Sequence, residues 1–240
     1  ASSAGERYVF EQGDIGDYDR ALALFKQHKP DYIVNFAAES HNSRAVLRPE
    51  DFFQTNVVGT VQLMKAARDA EVPRFHHIST CEVYGDLDLD TDEVFTEETP
   101  YQPKTPYNAS KAAADMAVRT FYLTFGLPVT ISNCANNYGP YQFPEKVIPR
   151  FATLALQNEK LTLYKSSQNK REWLHALDHA TAIDLILKKG AIGETYNVGS
   201  GLEIDVLPLP AAGQPAEGGQ NRKLLGSRPG LGAGSPGAGR

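Results

Sequence analysis

Residues 74–85, RFHHISTCEVYG, carry the strongest signal of the fold in this sequence. Residues 74–79 have the composition of a short buried strand, so the polar TCE that follows falls just beyond its carboxyl end. A second apolar strand, at 32–36, leads into AAESH, residues 37–41, at the same edge. Ligands of open α/β sheets bind in the crevice at the carboxyl ends of the strands. We therefore expect a ligand site where these two strands end.

A second informative segment is PYNASK, residues 106–111. On a helix, Tyr107 and Lys111 stand four positions apart and share one face. An ammonium beside a phenol lowers the pKa of the phenol from its reference of about 10, which makes a proton acceptor near neutral pH. This suits the oxidation of a carbohydrate hydroxyl. The alternative is that the pair serves packing or solubility alone.

Apolar periodicity and turn residues predict strands and helices that alternate along the chain. Predicted strands lie at 8–10, 31–36, 74–79, 128–132, 161–164, 171–175 and 194–198. Predicted helices lie at 18–28, 50–70, 107–125, 146–157 and 178–188. Such alternation indicates an α/β fold, a doubly wound parallel sheet with helices on both faces.

Composition excludes several classes of protein. The chain has 240 residues, 41% of them apolar, which suits one large globular domain or one and a half. The net charge of −5 argues against a nucleic-acid partner. No apolar run approaches the roughly 20 residues that span a membrane. With only two cysteines, Cys81 and Cys134, we expect no disulfide scaffold and a cytoplasmic location.

Six segments carry a family resemblance. They are GDI at 13–15, AAESH at 37–41, TNVVGT at 55–60, HHISTCEVYGD at 76–86, PYNASK at 106–111 and NCANNYGPYQFPEK at 133–146. On these segments the chain resembles the extended short-chain dehydrogenase/reductase superfamily over residues 6–205. Within that superfamily it is most similar to the dTDP-glucose 4,6-dehydratase branch.

The resemblance implies a Rossmann-type sheet with a small α/β substrate lobe. Residues 1–133 are then a truncated NAD-binding domain and residues 134–205 are mainly the substrate lobe. The amino-terminal βαβ unit, with its glycine-rich phosphate loop, has no counterpart before Tyr8. We therefore expect a fragment with weak or no cofactor binding. Residues 206–240, rich in Gly, Pro, Ala and Ser, are expected to be a disordered or aberrant tail.

The resemblance also assigns site residues, and it implies no metal. The residues implied for NAD are Asp14, Ile15, Ala37, Ala38, Ser40, Thr55, Tyr107, Lys111 and Asn133. The residues implied for the nucleotide sugar are Ser40, Thr80, Glu82, Asn136, Lys146, Val147, Tyr164 and Arg171. Each has a simpler reading, since Asp14 could end a strand, Asn136 could form a turn, and Lys146 and Arg171 could be solvated charges.

The implied reaction starts when Tyr107 takes the C4 hydroxyl proton of the sugar, with Thr80 on the 4-oxygen and Lys111 beside the tyrosine. Glu82 then removes the C5 proton, and an acid protonates the departing C6 oxygen. Hydride passes from C4 to NAD and returns to C6, which leaves a 4-keto-6-deoxy sugar. This branch has Asp as the acid where the chain has Cys81, and a protonated thiol is a poorer donor.

Several alternatives stay open. Cys followed by Glu is similar to the exo-glycal 5,6-dehydratases. A 4-epimerase needs no base at C5, and a decarboxylase needs an added arginine, for which Arg44 is a candidate. A fourth alternative is a catalytically inactive relative of the same fold. The resemblance also implies a homodimer in which helices 50–70 and 107–125 pack against their copies, although Phe52, Phe121 and Tyr122 could instead face their own core.

Overall fold

The computed structural model describes residues 7–89, 91–160 and 170–205. The chain divides into two compact units, one of residues 1–141 with 170–204 and the other of residues 142–169 with 205–240. The predicted strand at 161–164 and the predicted tail lie outside the described residues.

The elements follow the predicted order. The strands are β1 (Ile33–Asn35), β2 (Phe75–Thr80), β3 (Val129–Cys134), β4 (Asn136–Tyr138), β5 (Lys170–His175), β6 (Thr195–Val198) and β7 (Glu203–Asp205). The helices are α1 (Tyr18–His28), α2 (Asn42–Leu47), α3 (Pro49–Phe53), α4 (Thr60–Asp69), α5 (Pro106–Phe125), α6 (Val147–Leu156) and α7 (Ala176–Lys189). A π-helical segment (Gln54–Gly59) joins α3 to α4, and a one-turn 3₁₀-helix (Cys81–Tyr84) follows β2. Among the described residues of the second unit, the helix is α6.

The first unit is built on a parallel sheet with the strand order β1-β2-β3-β6. Phe75 pairs with Ile33 on one side and with Val129 on the other, and Thr80 pairs with Cys134. β4 and β5 pair in parallel in a second, three-stranded sheet. The parallel pairing confirms the predicted fold class.

The two faces of the first sheet are covered by different helices, because side chains alternate along a strand. Phe75, Val129 and Ile131 pack with apolar residues of α1, α4 and α5. On the opposite face, Cys134 and Val198 pack with apolar residues of α7. The sheet is therefore doubly wound, with helices on both faces, as the alternation predicts. None of the helices in the described ranges combines the length and apolar character needed to cross a membrane.

Residues 8–10 are not a strand, so this prediction is wrong. Phe10 is 71% exposed, and β1 ends the strand order in the described part of the sheet. An extended segment becomes a strand only when a neighbour pairs with its backbone groups. The apolar pattern of these residues gives the propensity for a strand, but the described structure gives them no partner.

The predicted helix at 50–70 contains a local widening. The π-helical segment turns Asn56 and Gly59 into the core. A Cβ on Gly59 would meet Ile15 Cγ1 at 2.9 Å, so this glycine allows the close approach of the segment that contains Ile15. Phe52 and Phe121 are also buried within their own unit, which favours the alternative to a role in a dimer contact.

Helix α5 has clear end signals. Thr105 is its N-cap, with the hydroxyl accepting from Asn108 N at 3.2 Å, and Pro106 occupies the first turn. At the other end, Gly126 has φ 71°, and its N–H bonds to carbonyls of the last turn. The predicted stop at Gly126 is confirmed.

We predict that Gly126→Ala lowers the free energy of unfolding by about 1–2 kcal/mol, because the left-handed conformation strains an L-residue. A Cβ there would meet no atom of the described residues within 4 Å, so packing adds nothing to the cost. Gly126→Asn is the matched control and loses less, since Asn tolerates this conformation. Urea denaturation measures both. Equal stability of the wild type and Gly126→Ala would contradict the assigned backbone.

Candidate active site

The carboxyl end of β2 carries the first part of the candidate site. The chain turns there into the 3₁₀-helix, and the Thr80 hydroxyl accepts from Glu82 N at 3.3 Å. Cys81 and Glu82 are partly exposed, whereas Thr80 is buried. This tight turn brings three of the predicted site residues, Thr80, Cys81 and Glu82, to one place.

Tyr107 reaches the same place from the first turn of α5. Its phenol lies near the Thr80 hydroxyl, which lowers the pKa of the phenol. The ring of Phe52 stands edge-on to it, with the ring centroids 6.4 Å apart. Ser110 Oγ donates to the Tyr107 carbonyl at 2.7 Å, which ties this turn together. The structure thus brings Thr80 and Tyr107 together, as the sequence predicts.

The pKa of Tyr107 is raised, and burial is the main cause. The negative charge of Glu82 raises this pKa further, and the nearby Thr80 hydroxyl opposes the shift. A Coulombic effect of this kind requires proximity, so the Glu82 carboxylate lies close to the phenol. The sequence predicts that Lys111 lowers the pKa of Tyr107. This lowering is absent in the structure, because the Lys111 side chain ends beneath β2 instead of beside the phenol.

Lys111 points beneath β2. Its Nζ donates to the Ile78 carbonyl at 2.7 Å and lies 3.2 Å from His77 Nε2. Only 3% of the residue is exposed, and burial lowers its pKa. The four-residue spacing correctly places Tyr107 and Lys111 on one helix, but the spacing alone does not determine where a long side chain ends.

Cys81 is a protonated thiol at neutral pH. Burial, with a further contribution from the Glu82 charge, raises its pKa to about 12. The charges of Glu172 and Arg171 on β5 also act on this thiol, in opposite directions. Arg171, a predicted substrate residue, therefore lies in the electrostatic neighbourhood of Cys81. A thiol with this pKa is a weak proton donor.

The loop after β1 is held to α5 by Asn56, which the sequence analysis did not single out. Asn56 accepts from Glu39 N at 2.8 Å and donates to the Glu39 carbonyl at 3.0 Å and to Ser110 Oγ at 2.8 Å. The loop contains Ala37, Ala38 and Ser40 of the predicted cofactor set. The signal for Asn56 was its place beside Thr55 in the TNVVGT segment.

Three other predicted cofactor residues have distinct surroundings. The Asp14 carboxylate accepts from Gly16 N at 2.7 Å, and Ile15 lies against Gly59. Asn133 donates to Tyr84 Oη at 2.8 Å, and its buried Oδ1 has no hydrogen-bond partner among the described residues. A buried acceptor in this condition is suited to a donor from a ligand.

The remaining predicted residues are less closely tied to the site. Asn136 pairs in register with Trp173 of β5 and is partly buried. Lys146 and Val147 belong to the second unit, and Tyr164 lies outside the described residues. In the ranges that the structure describes, no group of three or more His, Cys, Asp or Glu side chains could hold a metal ion.

Two relatives are similar to this chain over most of its length. The dTDP-glucose 4,6-dehydratase of Xanthomonas campestris pv. campestris (strain B100) is 50% identical over 205 residues, which cover 82% of this chain and 58% of the relative. The dTDP-glucose 4,6-dehydratase 1 of Escherichia coli (strain K12) is 46% identical over 213 residues, with 82% and 59% covered. The chain thus spans less than two thirds of the length of these relatives.

Solved structures and a family model extend the comparison. DesIV, a dTDP-glucose 4,6-dehydratase from Streptomyces venezuelae with NAD and TYD bound, has a TM-score of 0.83 and 44% identity, covering 87% of this chain and 63% of that one. The UDP-glucose 4-epimerase of Thermotoga maritima with UDP-glucose has a TM-score of 0.78 and 27% identity, with 85% and 66% covered. The GDP-mannose 4,6 dehydratase family model matches residues 1–221. The chain belongs to the GDP-mannose 4,6 dehydratase family.

Proposed function

We propose that the protein is a hydro-lyase that converts dTDP-glucose to dTDP-4-keto-6-deoxyglucose with NAD as cofactor. The observation that carries the proposal is the convergence of Thr80, Glu82 and Tyr107 at the end of β2. A hydroxyl donor, a carboxylate and a phenol in one place are the groups that this reaction needs. The 50% identity to a dTDP-glucose 4,6-dehydratase supports the same choice of substrate.

Tyr107 is the proposed base for the C4 hydroxyl of the sugar. When bound, NAD supplies the acceptor for the C4 hydride and returns this hydride to C6. Thr80, which lies near the phenol and lowers its pKa, is the proposed partner of the sugar's 4-oxygen. Because burial raises the pKa of Tyr107, the phenol needs a nearby positive charge to give up its proton, and Lys111 is the proposed source of this charge.

Glu82 is the proposed base at C5. Its charge acts on both Tyr107 and Cys81, so a sugar bound against the phenol would also lie within reach of this carboxylate. A 4-epimerase has no need of a base at C5, so Glu82 favours dehydration over epimerisation.

Cys81 is the proposed acid for the departing C6 oxygen. Its raised pKa of about 12 keeps the proton in place but makes transfer slow. This observation favours a second candidate function, a 5,6-dehydratase in which the elimination is altered at the thiol. We rank it below 4,6-dehydration because of the identity to the 4,6-dehydratases.

The cofactor and the substrate are proposed to use different parts of the chain. Residues 1–133 would hold NAD, and residues 134–205 would hold the nucleotide, with a boundary that falls inside β3. One part of a dinucleotide could lie against the small side chains of Ala37 and Ala38. A donor of the dinucleotide could bind the buried Asn133 Oδ1, which has no hydrogen-bond partner among the described residues. The proposed pyrophosphate residue is Arg171, whose guanidinium matches phosphate oxygens. Proposed roles for the other implied residues are unchanged: Asp14, Ile15, Ser40 and Thr55 for NAD, and Ser40, Asn136, Lys146, Val147 and Tyr164 for the nucleotide.

We also propose a homodimer in the cytoplasm. With Phe52 and Phe121 inside their own core, the contact would use the outward apolar side chains of the same helices. Leu123 of α5 is 79% exposed, and Met116 of α5 and Val58 of the π-helical segment are 48% and 41% exposed. Sedimentation that gives only a monomer at micromolar concentration would contradict the dimer.

We predict that Tyr107→Phe lowers kcat for 4-keto-6-deoxy product formation by about 10²–10⁴-fold, because the variant loses its proton acceptor. The assay supplies dTDP-glucose and NAD and follows the absorbance of the keto product in base. Tyr122→Phe, on the same helix, is the matched control and keeps wild-type turnover. Equal activity of Tyr107→Phe and Tyr122→Phe would contradict the proposed base.

We predict that Cys81→Asp raises the rate of water loss at least about tenfold, because a carboxylic acid transfers a proton more readily than a thiol of high pKa. Cys81→Ser is the control for size, and we expect it to show no gain. Product analysis by mass spectrometry and NMR separates the 4-keto product from a 5,6-alkene. Slower or redirected elimination in Cys81→Asp would instead support the 5,6-dehydratase.

A further inference from the structure

Lys111 ends in a fully enclosed polar cluster beneath β2, on the side of the strand that faces α5. The cluster contains Asn35, His77, Lys111 and Asp115, and each of these residues is at most 3% exposed. Lys111 Nζ lies 3.2 Å from His77 Nε2. His77 Nδ1 lies 3.3 Å from Asn35 Nδ2. Because these side chains are buried, their hydrogen-bond partners in the cluster determine which atoms carry the protons.

The orientation of Asn35 is fixed by a backbone donor. Ala37 N donates to Asn35 Oδ1 at 3.2 Å, and a backbone N–H can only donate. Asn35 Nδ2 therefore faces Thr60 Oγ1 at 3.2 Å and His77 Nδ1. An amide nitrogen is a donor, so His77 Nδ1 must accept, and the proton of the neutral ring sits on Nε2.

This tautomer constrains Lys111. The Nε2–H of His77 faces Lys111 Nζ, and an ammonium offers donors only. The contact is a hydrogen bond when Lys111 is a neutral amine, whose lone pair accepts from Nε2–H while one of its own hydrogens goes to Ile78 O. Burial lowers the pKa of Lys111 and the pKa of His77, which favours the uncharged form of each group.

A charged Lys111 demands the opposite tautomer. The ammonium donates to an unprotonated Nε2, which places the ring proton on Nδ1. Nδ1–H then faces the Asn35 amide nitrogen, and two donors cannot form a hydrogen bond. Asn35 must therefore turn its oxygen toward His77, and this oxygen no longer accepts from Ala37 N. The charged arrangement holds one proton more than the neutral one, and this proton is taken up from solvent. The His77 ring carries one proton in both arrangements, on Nε2 when Lys111 is neutral and on Nδ1 when Lys111 is charged.

We propose that His77 couples the charge on Lys111 to the loop that follows β1, through Asn35. With Ala37 N bound to Asn35, Lys111 is neutral; when Lys111 is charged, the hold on Ala37 is released. The inference rests on the proposed function for its catalytic consequence, because the charge on Lys111 is what prepares Tyr107 to accept a proton. His77 is thus a positioning residue that acts through Lys111.

The other ionisable groups around the cluster set the balance between the two arrangements. Asp115 Oδ1 lies 3.5 Å from His77 Nε2, and Asp115 Oδ2 accepts from Ser79 Oγ at 2.7 Å. Its pKa is raised by burial to about 6, so above that pH its charge favours a charged Lys111. Among the described residues, the other ionisable groups that affect the pKa of Lys111, His77 or Asp115 are Cys134, Tyr101, Arg119 and, from the opposite face of β2, His76.

The first test is the tautomer of His77 in the wild-type chain, by ¹H–¹⁵N NMR of the ring nitrogens near pH 7. His77→Gln and His76→Gln assign the two signals. The expected result is a proton on Nε2 and an unprotonated Nδ1, and a proton on Nδ1 would overturn the proposal. The measurement needs no substrate, so it stands even if the chain fails to dehydrate dTDP-glucose, a failure that would count against the proposed function alone.

The second test compares two adjacent histidines of β2. His76 is as buried as His77 but faces the other side, where it bonds to Thr130 and Ser132. In His77→Gln the glutamine carbonyl can accept from the Lys111 ammonium, which favours the charged lysine. The pH midpoint of the acidic limb of the kcat profile should therefore fall by about one unit or more. KM should stay within about twofold and His76→Gln should keep the wild-type midpoint. An unshifted profile in His77→Gln would overturn the proposal.

Discussion

The parallel register between β2 and β3 is the constraint on which the site depends. Because Thr80 pairs with Cys134, the last residues of β2 and β3 stand side by side. The chain then turns into the 3₁₀-helix, and α5 returns along the sheet with Tyr107 in its first turn. A slip of one residue would invert the faces of β2 and exchange His77 with His76.

Burial acts on the candidate site in two opposing ways. It excludes water and strengthens the electrostatic effect of Glu82 on its neighbours. It also disfavours the charged forms of Tyr107 and Lys111, the two groups whose ionisation the proposed chemistry requires. In the described arrangement the raised pKa keeps the proton on the Tyr107 phenol, and Lys111 Nζ contacts the Ile78 carbonyl and His77 Nε2 beneath the strand.

Much of the fold was accessible from the sequence because its signals are local. Apolar runs bounded by turn residues located β2 and β3, and Gly126 located the end of α5. The strand predicted at 8–10 failed because pairing is not a local property. The π-helical segment was missed because a single extra residue in a helical turn leaves the apolar pattern nearly unchanged.

The candidate site was also predictable only where its signals are local. Thr80, Glu82 and Tyr107 were predictable, since each stands directly at the end of a recognisable strand or the start of a helix. The direction of Lys111 was not, because four rotatable bonds separate its charge from the backbone and buried partners decide its position. Asn56 escaped notice because it binds the protein itself and resembles an ordinary helix residue in sequence.

The π-helical segment also restricts how this region can vary in length. Each helical residue turns the chain by about 100°, so removing one residue between Gln54 and Gly59 would rotate everything on one side of the cut. Asn56 could then no longer face Glu39 and Ser110 together, and the β1 loop would lose its link to α5. Insertions and deletions are therefore expected to be excluded from this segment and to accumulate instead in exposed connections.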